Sequence, residues 1–196
     1  MAIKKQEVRR CWVIRDDPQM EAYHDEEWGV PLHDDRRLFE FLVLDAFQAG
    51  LSWAIVLHKR EAFRRAFAGF NPRKVARFGA SDVARLVQDE RIIRNRQKIL
   101  ATIENAKRFL EVQRELGSFD RYIWQFTGHR TIDNRCRRLG DLQAKSPESD
   151  AMSADLRARG FKFVGSTICY AFMQAAGMVN DHLVGCPRHR EVMRER

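Results

Sequence analysis

Two thiols and two imidazoles stand near opposite ends of the chain. Cys11 and His24 are thirteen positions apart. His182 and Cys186 are four apart, in the run Asn180-Asp-His-Leu-Val-Gly-Cys186. Two thiolates and two neutral imidazoles form a sound tetrahedral set for zinc, which accepts both donor types and imposes no geometry of its own. A site joining residue 11 to residue 186 would clip both ends to the core, and its binding energy would be folding energy. The alternative is four unrelated residues, because cysteine often serves as a small buried hydrophobe. Cys136 and Cys169 compete as ligands. Cys169 lies in the apolar run Thr167-Ile-Cys-Tyr-Ala-Phe172 and reads as packed core; Cys136 sits between Arg135 and Arg137.

Three further features could do chemistry. Trp12, Tyr23, Trp28 and Trp53 could sandwich a planar base, each stack contributing roughly 1–3 kcal/mol, or could simply pack a core. Asp45 is set in Leu42-Val-Leu-Asp-Ala-Phe47. A carboxylate in so apolar a run is costly unless partnered. It either lies on a polar helix stripe or faces a pocket and accepts from a ligand amine. Arg159-Gly-Phe-Lys-Phe-Val-Gly165-Ser-Thr holds two glycines five apart, Gly160 and Gly165, with Lys162 between them. A tight turn there would expose backbone amides at Ser166, where the next helix begins, which suits a phosphate. A plain helix–helix turn is the alternative.

Helices must position these residues. Asp34 or Asp35 can cap a helix through Leu38, Phe41, Leu42 and Leu44, interrupted at Gln48-Ala-Gly-Leu51; Ser52 can cap another carrying Trp53, Val56, Leu57, Phe63 and Phe67. Asn71-Pro72 is an N-cap with proline at the first helical position. Ser81 starts a short helix through Leu86. The longest should run from about Arg94 to Leu116 and stop at Gly117. Thr127–Ser149 reads as loops with short helical pieces, followed by helices over Asp150–Arg159 and Gly165–Ala176. Cys11–Trp28 and Met178–Pro187 read as irregular. Alternating runs are scarce, so an all-α fold is expected, with no sizeable sheet.

The 196 residues carry a net charge of +8 and are 44% hydrophobic, enough for a core. The charge is divided. Asp16–Asp45 holds ten acids and two bases, Arg91–Lys145 thirteen bases and six acids, and Arg157–Arg196 seven bases and three acids. A basic body suits a polyanion, and a solvated arginine-rich surface is the plainer reading. No apolar run approaches the roughly 18–20 residues of a membrane helix, no secretory signal is apparent, and four cysteines are too few for a disulfide scaffold. A cytoplasmic protein without a membrane partner is expected.

Four segments carry a specific resemblance: Cys11-Trp-Val with Ala22-Tyr-His-Asp-Glu-Glu-Trp-Gly-Val-Pro31; Phe47-Gln-Ala-Gly-Leu-Ser-Trp53; Ile92-Ile-Arg-Asn-Arg-Gln-Lys-Ile99; and Arg159–Gln174 continuing through Val179–Cys186. Over residues 9–187 the chain resembles the constitutive 3-methyladenine DNA glycosylase I family. The resemblance implies an all-α helix-hairpin-helix glycosylase fold in a single domain, 1–187, of two helical lobes, with a basic tail over 188–196. It implies one structural Zn2+ per chain, on Cys11, His24, His182 and Cys186. Tyr23, Asp45 and Trp53 would hold the base as the catalytic set, with Trp12, Trp28 and Met20 nearby. Gly160, Lys162, Gly165 and Ser166 would grip the DNA backbone, and the Gly50-Leu51 turn would plug the duplex.

Two positions depart from the family pattern. Better-known members carry Glu where this chain has Asp45, and some carry an aromatic residue at Met20. Family-like activity would be base-excision repair: a cationic alkylated purine is flipped from double-stranded DNA and its N-glycosidic bond hydrolysed. Bifunctional superfamily members carry a lysine where Thr167 stands, so a monofunctional enzyme is expected; no dimer interface is obvious in the sequence, so a monomer is expected. Asp181 lies near where other members place a catalytic aspartate, and also beside His182, leaving two readings of it. The rival function is a zinc-stabilised helical DNA-binding module without catalysis, which would not need Tyr23, Asp45 and Trp53 to converge.

Overall fold

The computed structural model describes residues 10–11 and 16–194. Eleven α-helices follow one another among these residues: α1 Pro18–Glu26, α2 Asp35–Gln48, α3 Trp53–His58, α4 Arg60–Ala66, α5 Pro72–Val75, α6 Ala80–Gln88, α7 Arg96–Leu116, α8 Phe119–Trp124, α9 Pro147–Ala158, α10 Ser166–Ala175 and α11 Pro187–Val192. Two short strands, β1 Ile132–Asp133 and β2 Val179–Asn180, pair in parallel with Ile132 opposite Val179. The expectation of a helical fold without a sizeable sheet holds.

α2 is the spine. Asp34 caps it by accepting from the Arg37 amide at 2.9 Å, and every residue from Leu38 to Phe47 is buried. It packs on α3, α7, α8 and α10. A helix apolar on all sides is stable only when surrounded, and full burial contributes roughly 1.5–3 kcal/mol for each Leu or Phe. Rings link the neighbours: Phe39 meets Phe109 of α7 at 5.1 Å, and Phe109 stacks on Phe119 of α8 at 4.1 Å.

Caps set most boundaries. Asn71 accepts from the Lys74 amide ahead of α5, and Asn95 from the Lys98 amide ahead of α7. Gly117 ends α7 with φ of +88°, a conformation costly for a side chain.

The structure corrects four expectations. Residues 18–26, expected to be irregular, form α1; Asp17 accepts from the Met20 amide and Pro18 takes the first helical position. The single helix expected from Ser52 to Phe67 breaks at Lys59 into α3 and α4. α6 begins at Ala80 rather than Ser81, capped at Gly79 by the Asp82 carboxylate. Residues 187–192, expected as part of a tail, form α11, with Val192 fully buried and His189 held against Asp133 at 2.9 Å.

Candidate active site

A cavity of about 340 Å³ opens between α1, the turn before α3, and α10. Met20, Tyr23, Trp28, Asp45, Gln48, Trp53 and Gln174 are among its lining residues. Tyr23 of α1 and Trp53 of α3 stand 5.0 Å apart with planes inclined 45°. α2 brings Asp45 to the same place. Thus Tyr23, Asp45, Trp53, Trp28 and Met20 line one cavity; Trp12 lies outside the described residues.

The polarity of the cavity is unusual. Asp45 is buried, and its Oδ2 has no hydrogen-bond partner among the described residues. The Trp53 indole N–H is also buried without a partner among them. Buried polar atoms are nearly always paired, so an orphan acceptor and an orphan donor on one cavity point to a ligand carrying both functions. Burial pushes the Asp45 carboxyl well above the usual carboxylate range, because desolvation disfavours its charge. Burial also pushes Tyr23 up, with the negative charge of Asp45 adding to it.

The surrounding acids do not share this role. Arg60 donates to Glu40 at 2.6 Å and clamps Glu27 through two bonds of 2.6 and 2.9 Å. Arg10 pairs with Asp25 and Glu21, and Asp35 accepts from the Phe119 and Asp120 amides. Much of the acidic segment is therefore consumed in fastening α1, α2, α4 and α8. The negative function at the cavity belongs to Asp45.

Gln174 was not singled out from sequence. Its Nε2 donates to Asp181 Oδ2 at 2.7 Å, and Asp181 also accepts from the Tyr170 hydroxyl at 2.9 Å and from Asn134 Nδ2 at 2.6 Å. Asp181 is fully buried and absent from the cavity lining. It anchors a hydrogen-bonded network that ties β1, β2 and α10 together. A lone glutamine in an apolar helix carries no spacing signal, so sequence reasoning had no means of finding it.

The metal set also converges. The donor atoms of Cys11, His24, His182 and Cys186 lie within 4.8 Å of one another. Second contacts orient both rings: His24 Nδ1 meets Asp25 at 2.8 Å, and His182 Nε2 meets the Trp28 carbonyl at 2.8 Å. The other ring nitrogens, His24 Nε2 and His182 Nδ1, face the thiols. Such carboxylate and carbonyl partners are what metal-bound imidazoles use. The Cys186 thiol is held far below its ordinary pKa by hydrogen bonds from Cys11, His182 and His24, while Cys11 is pushed up by its bond to Cys186 and by burial. Cys136 and Cys169 stand apart: Cys169 donates to the Val164 carbonyl at 3.4 Å, and Cys136 lies near Asp141 and Asp181.

Trp28 joins the two sites. It lines the cavity, stacks near His24 at 6.0 Å and meets the His182 ring edge-on at 4.6 Å. Gly29 follows with φ of +79°, and a Cβ there would lie 3.1 Å from the His182 ring. Glycine satisfies both the left-handed turn and the close approach.

The turn between α9 and α10 spans residues 159–165. Gly160 takes φ of +88°, but Gly165 is an ordinary extended N-cap with φ of −65°. The pair of glycines is therefore not needed for tightness; Phe163 carries the second left-handed residue, φ +55°. Lys162 is exposed, and its backbone N–H and C=O are both held by the Asn105 side chain, at 2.8 and 2.9 Å. The Ser166 hydroxyl pairs with Ser149 at 2.9 Å, and Ser166 is the first residue of α10, where amides lack intrahelical acceptors. Gly50 and Leu51 are exposed beside the cavity-lining residues Gln48 and Ser52.

An open, base-sized aromatic cavity on a helical scaffold, with exposed turns at Gly50-Leu51 and Lys162, suits a base-excising enzyme, and this chain belongs to the methyladenine glycosylase family, whose model matches residues 12–189. DNA-3-methyladenine glycosylase 1 of Escherichia coli (strain K12) is 49% identical over 179 residues, 91% of this chain and 96% of that one. A crystal structure of 3-methyladenine DNA glycosylase I superposes with a TM-score of 0.89 at 46% identity, covering 91% of this chain and 98% of the other. The Staphylococcus aureus enzyme, solved to show how 3-methyladenine is recognised, superposes with a TM-score of 0.86 at 36% identity, covering 88% and 92%.

Proposed function

We propose that the protein is a monofunctional DNA-3-methyladenine glycosylase of base-excision repair. It extrudes the alkylated base from double-stranded DNA into the cavity and hydrolyses its N-glycosidic bond. The orphan Oδ2 of Asp45 carries this reading. A purely DNA-binding module gains nothing from an unpartnered carboxylate inside an aromatic cavity, whereas a cationic purine with an exocyclic amine supplies both the charge and the donor.

Methylation at N3 leaves the base positively charged, so recognition supplies most of what the reaction needs. Tyr23 and Trp53 bracket the electron-poor ring, a cation–π arrangement worth about 2 kcal/mol when desolvated. Asp45 accepts from the amine and favours the cation; the Trp53 N–H donates to a ring or backbone acceptor. As the bond to the sugar breaks, its electron pair returns to the base, which leaves neutral. Water adds at the sugar carbon and releases its extra proton to solvent. Unmethylated adenine lacks the charge, binds less well and remains attached.

The flanking turns act on DNA. The α9–α10 turn serves as the hairpin of a helix-hairpin-helix element, with Gly160, Lys162, Gly165 and the Ser166 amide against a phosphate. Gly50 and Leu51 fill the gap left by the extruded base. Thr167 offers no amine for Schiff-base chemistry, so the strand stays intact. Cys11, His24, His182 and Cys186 suit one structural Zn2+; bound there it fixes the chain ends and, through Trp28, a wall of the cavity. We place the enzyme in the cytoplasm as a monomer of one glycosylase domain, which runs past 187 to take in α11, because Val192 is buried and His189 is held by Asp133.

The test is chromatography of bases released from methylated duplex DNA, with strand integrity read on the same sample. Free 3-methyladenine and unbroken strands are expected. Release of 7-methylguanine alone would overturn the substrate, and no release would favour a binding module.

A further inference from the structure

Lys98 is a lysine in an unusual place. It sits on the first turn of α7, is 7% exposed and makes no ion pair among the described residues. Its ammonium donates to the Phe47 carbonyl at 2.9 Å and the Ala49 carbonyl at 2.6 Å. These carbonyls lie at the C-terminal end of α2, where the helix leaves acceptors without intrahelical donors and where positive charge is favoured. The same ammonium stands 5.9 Å from the centre of the Phe163 ring, in the α9–α10 turn. Two helical turns further along α7, fully buried Asn105 grips the backbone of Lys162 through both its N–H and its C=O. Residues seven apart share one face of a helix. One face of α7 therefore holds both the turn that leads into Gly50-Leu51 and the turn that carries Lys162.

We propose that Lys98 is a positioning residue for duplex DNA, fixing the Gln48–Leu51 turn in register with the α9–α10 turn through the shared face of α7. This rests on the proposed base excision and on Leu51 as the plug. Lys98 does not line the cavity, so it acts on the turn and not on the base. Without its ammonium, two carbonyls at the end of α2 lose their donor and the turn is free to drift. A wedge displaced by about 1 Å can cost on the order of 10²-fold in rate. A wedge matters only where a base pair must be opened, so the loss is specific to duplex substrate.

The decisive comparison uses Lys98→Met, which keeps the stem and removes the donors, and Lys98→Arg, which keeps charge and donors. Binding of free 3-methyladenine, read by tryptophan fluorescence, is expected to match the unaltered protein in both. Single-turnover release from duplex DNA should fall about 10- to 100-fold in Lys98→Met, release from single-stranded DNA should be unchanged, and Lys98→Arg should recover part of the loss. Leu51→Ala should add little in the Lys98→Met background. An equal fall on both substrates, no fall on either, or full additivity with Leu51→Ala would overturn the positioning role. If Lys98→Met does not fold, the Lys98→Arg ratio of duplex to single-strand rate decides alone. An unaltered protein that frees no base from either substrate fails the proposed function instead; affinity for duplex containing an abasic analogue, weakened by Lys98→Met, then still decides the role of Lys98.

Discussion

Asp45 and Trp53 line one cavity, and each holds a buried polar atom without a partner among the described residues: a carboxyl oxygen that lacks a donor and an indole N–H that lacks an acceptor. The protein is less stable for keeping Asp45 so, and the base repays it on binding. Asp45→Asn should lower 3-methyladenine affinity and release about 10- to 100-fold, the loss of a charge-assisted bond of roughly 1.5–3 kcal/mol. The same substitution should raise stability by about 0.5–2 kcal/mol. Denaturant melts beside base-release assays check both; a variant that loses activity and stability together would contradict the trade.

The pH dependence follows from the same carboxyl. Its pKa in the folded protein is raised by burial. Below that value Asp45 is neutral and cannot favour the cationic base still joined to the sugar, so the rate of base release should rise as pH climbs through it. Stability should move the other way. The folded state holds the proton more tightly than the unfolded chain, so stability is lost as pH rises from the ordinary carboxylate range to the raised value. Asp45→Asn should remove the Asp45 contribution to both slopes, which base release and melts measured across pH would show.

The cysteine–histidine cluster should carry metal. Purified protein, never exposed to chelator, should contain about one equivalent of zinc. Stripping it, or Cys186→Ala, should lower the melting temperature and weaken base binding, since Trp28 touches both His182 and the cavity. Elemental analysis with a chelator titration checks this; a clearly substoichiometric zinc content, or melting unmoved by chelation, would contradict it.

Lys162→Ala should weaken DNA binding alike for damaged and undamaged duplex. The slope of log affinity against log salt should shrink by about one. Free-base binding should not change, because Lys162 lies outside the cavity lining. Fluorescence anisotropy at several salt concentrations measures it.

Asp181→Ala should destabilise by about 3 kcal/mol, since its removal takes the acceptor from the Tyr170 hydroxyl and the Gln174 amide and one of two from Asn134 Nδ2. Base release by the folded fraction should fall far less than in Asp45→Asn. Equal losses of release in the two variants, once corrected for folding, would return Asp181 to a catalytic role.

The helices with an apolar stripe and a clear cap were legible: Asp34 ahead of α2, Asn71-Pro72 ahead of α5, Gly117 after α7. α1 was not, because Pro18–Glu26 is mostly polar and acidic; its stability comes from the Asp17 cap and from Arg10 and Arg60 pairing with its acids and Glu27. Periodicity across Lys59 could not reveal a break that keeps both halves apolar on the same side. Cys11, His24, His182 and Cys186 were readable as ligand types, but spacing alone could not join ends so far apart. Asp45 was suspicious because of its apolar neighbours. Gln174 and Lys98 were silent: their meaning depends on Asp181 and on the end of α2, contacts far away in the chain.

The most direct measurement is single-turnover release of 3-methyladenine from a defined duplex by the unaltered protein and by Asp45→Asn. The site predicts base release by the former, with unbroken strands, and a rate about 10- to 100-fold lower in the latter. Equal rates in the two proteins, or no base freed by the unaltered one, would contradict it.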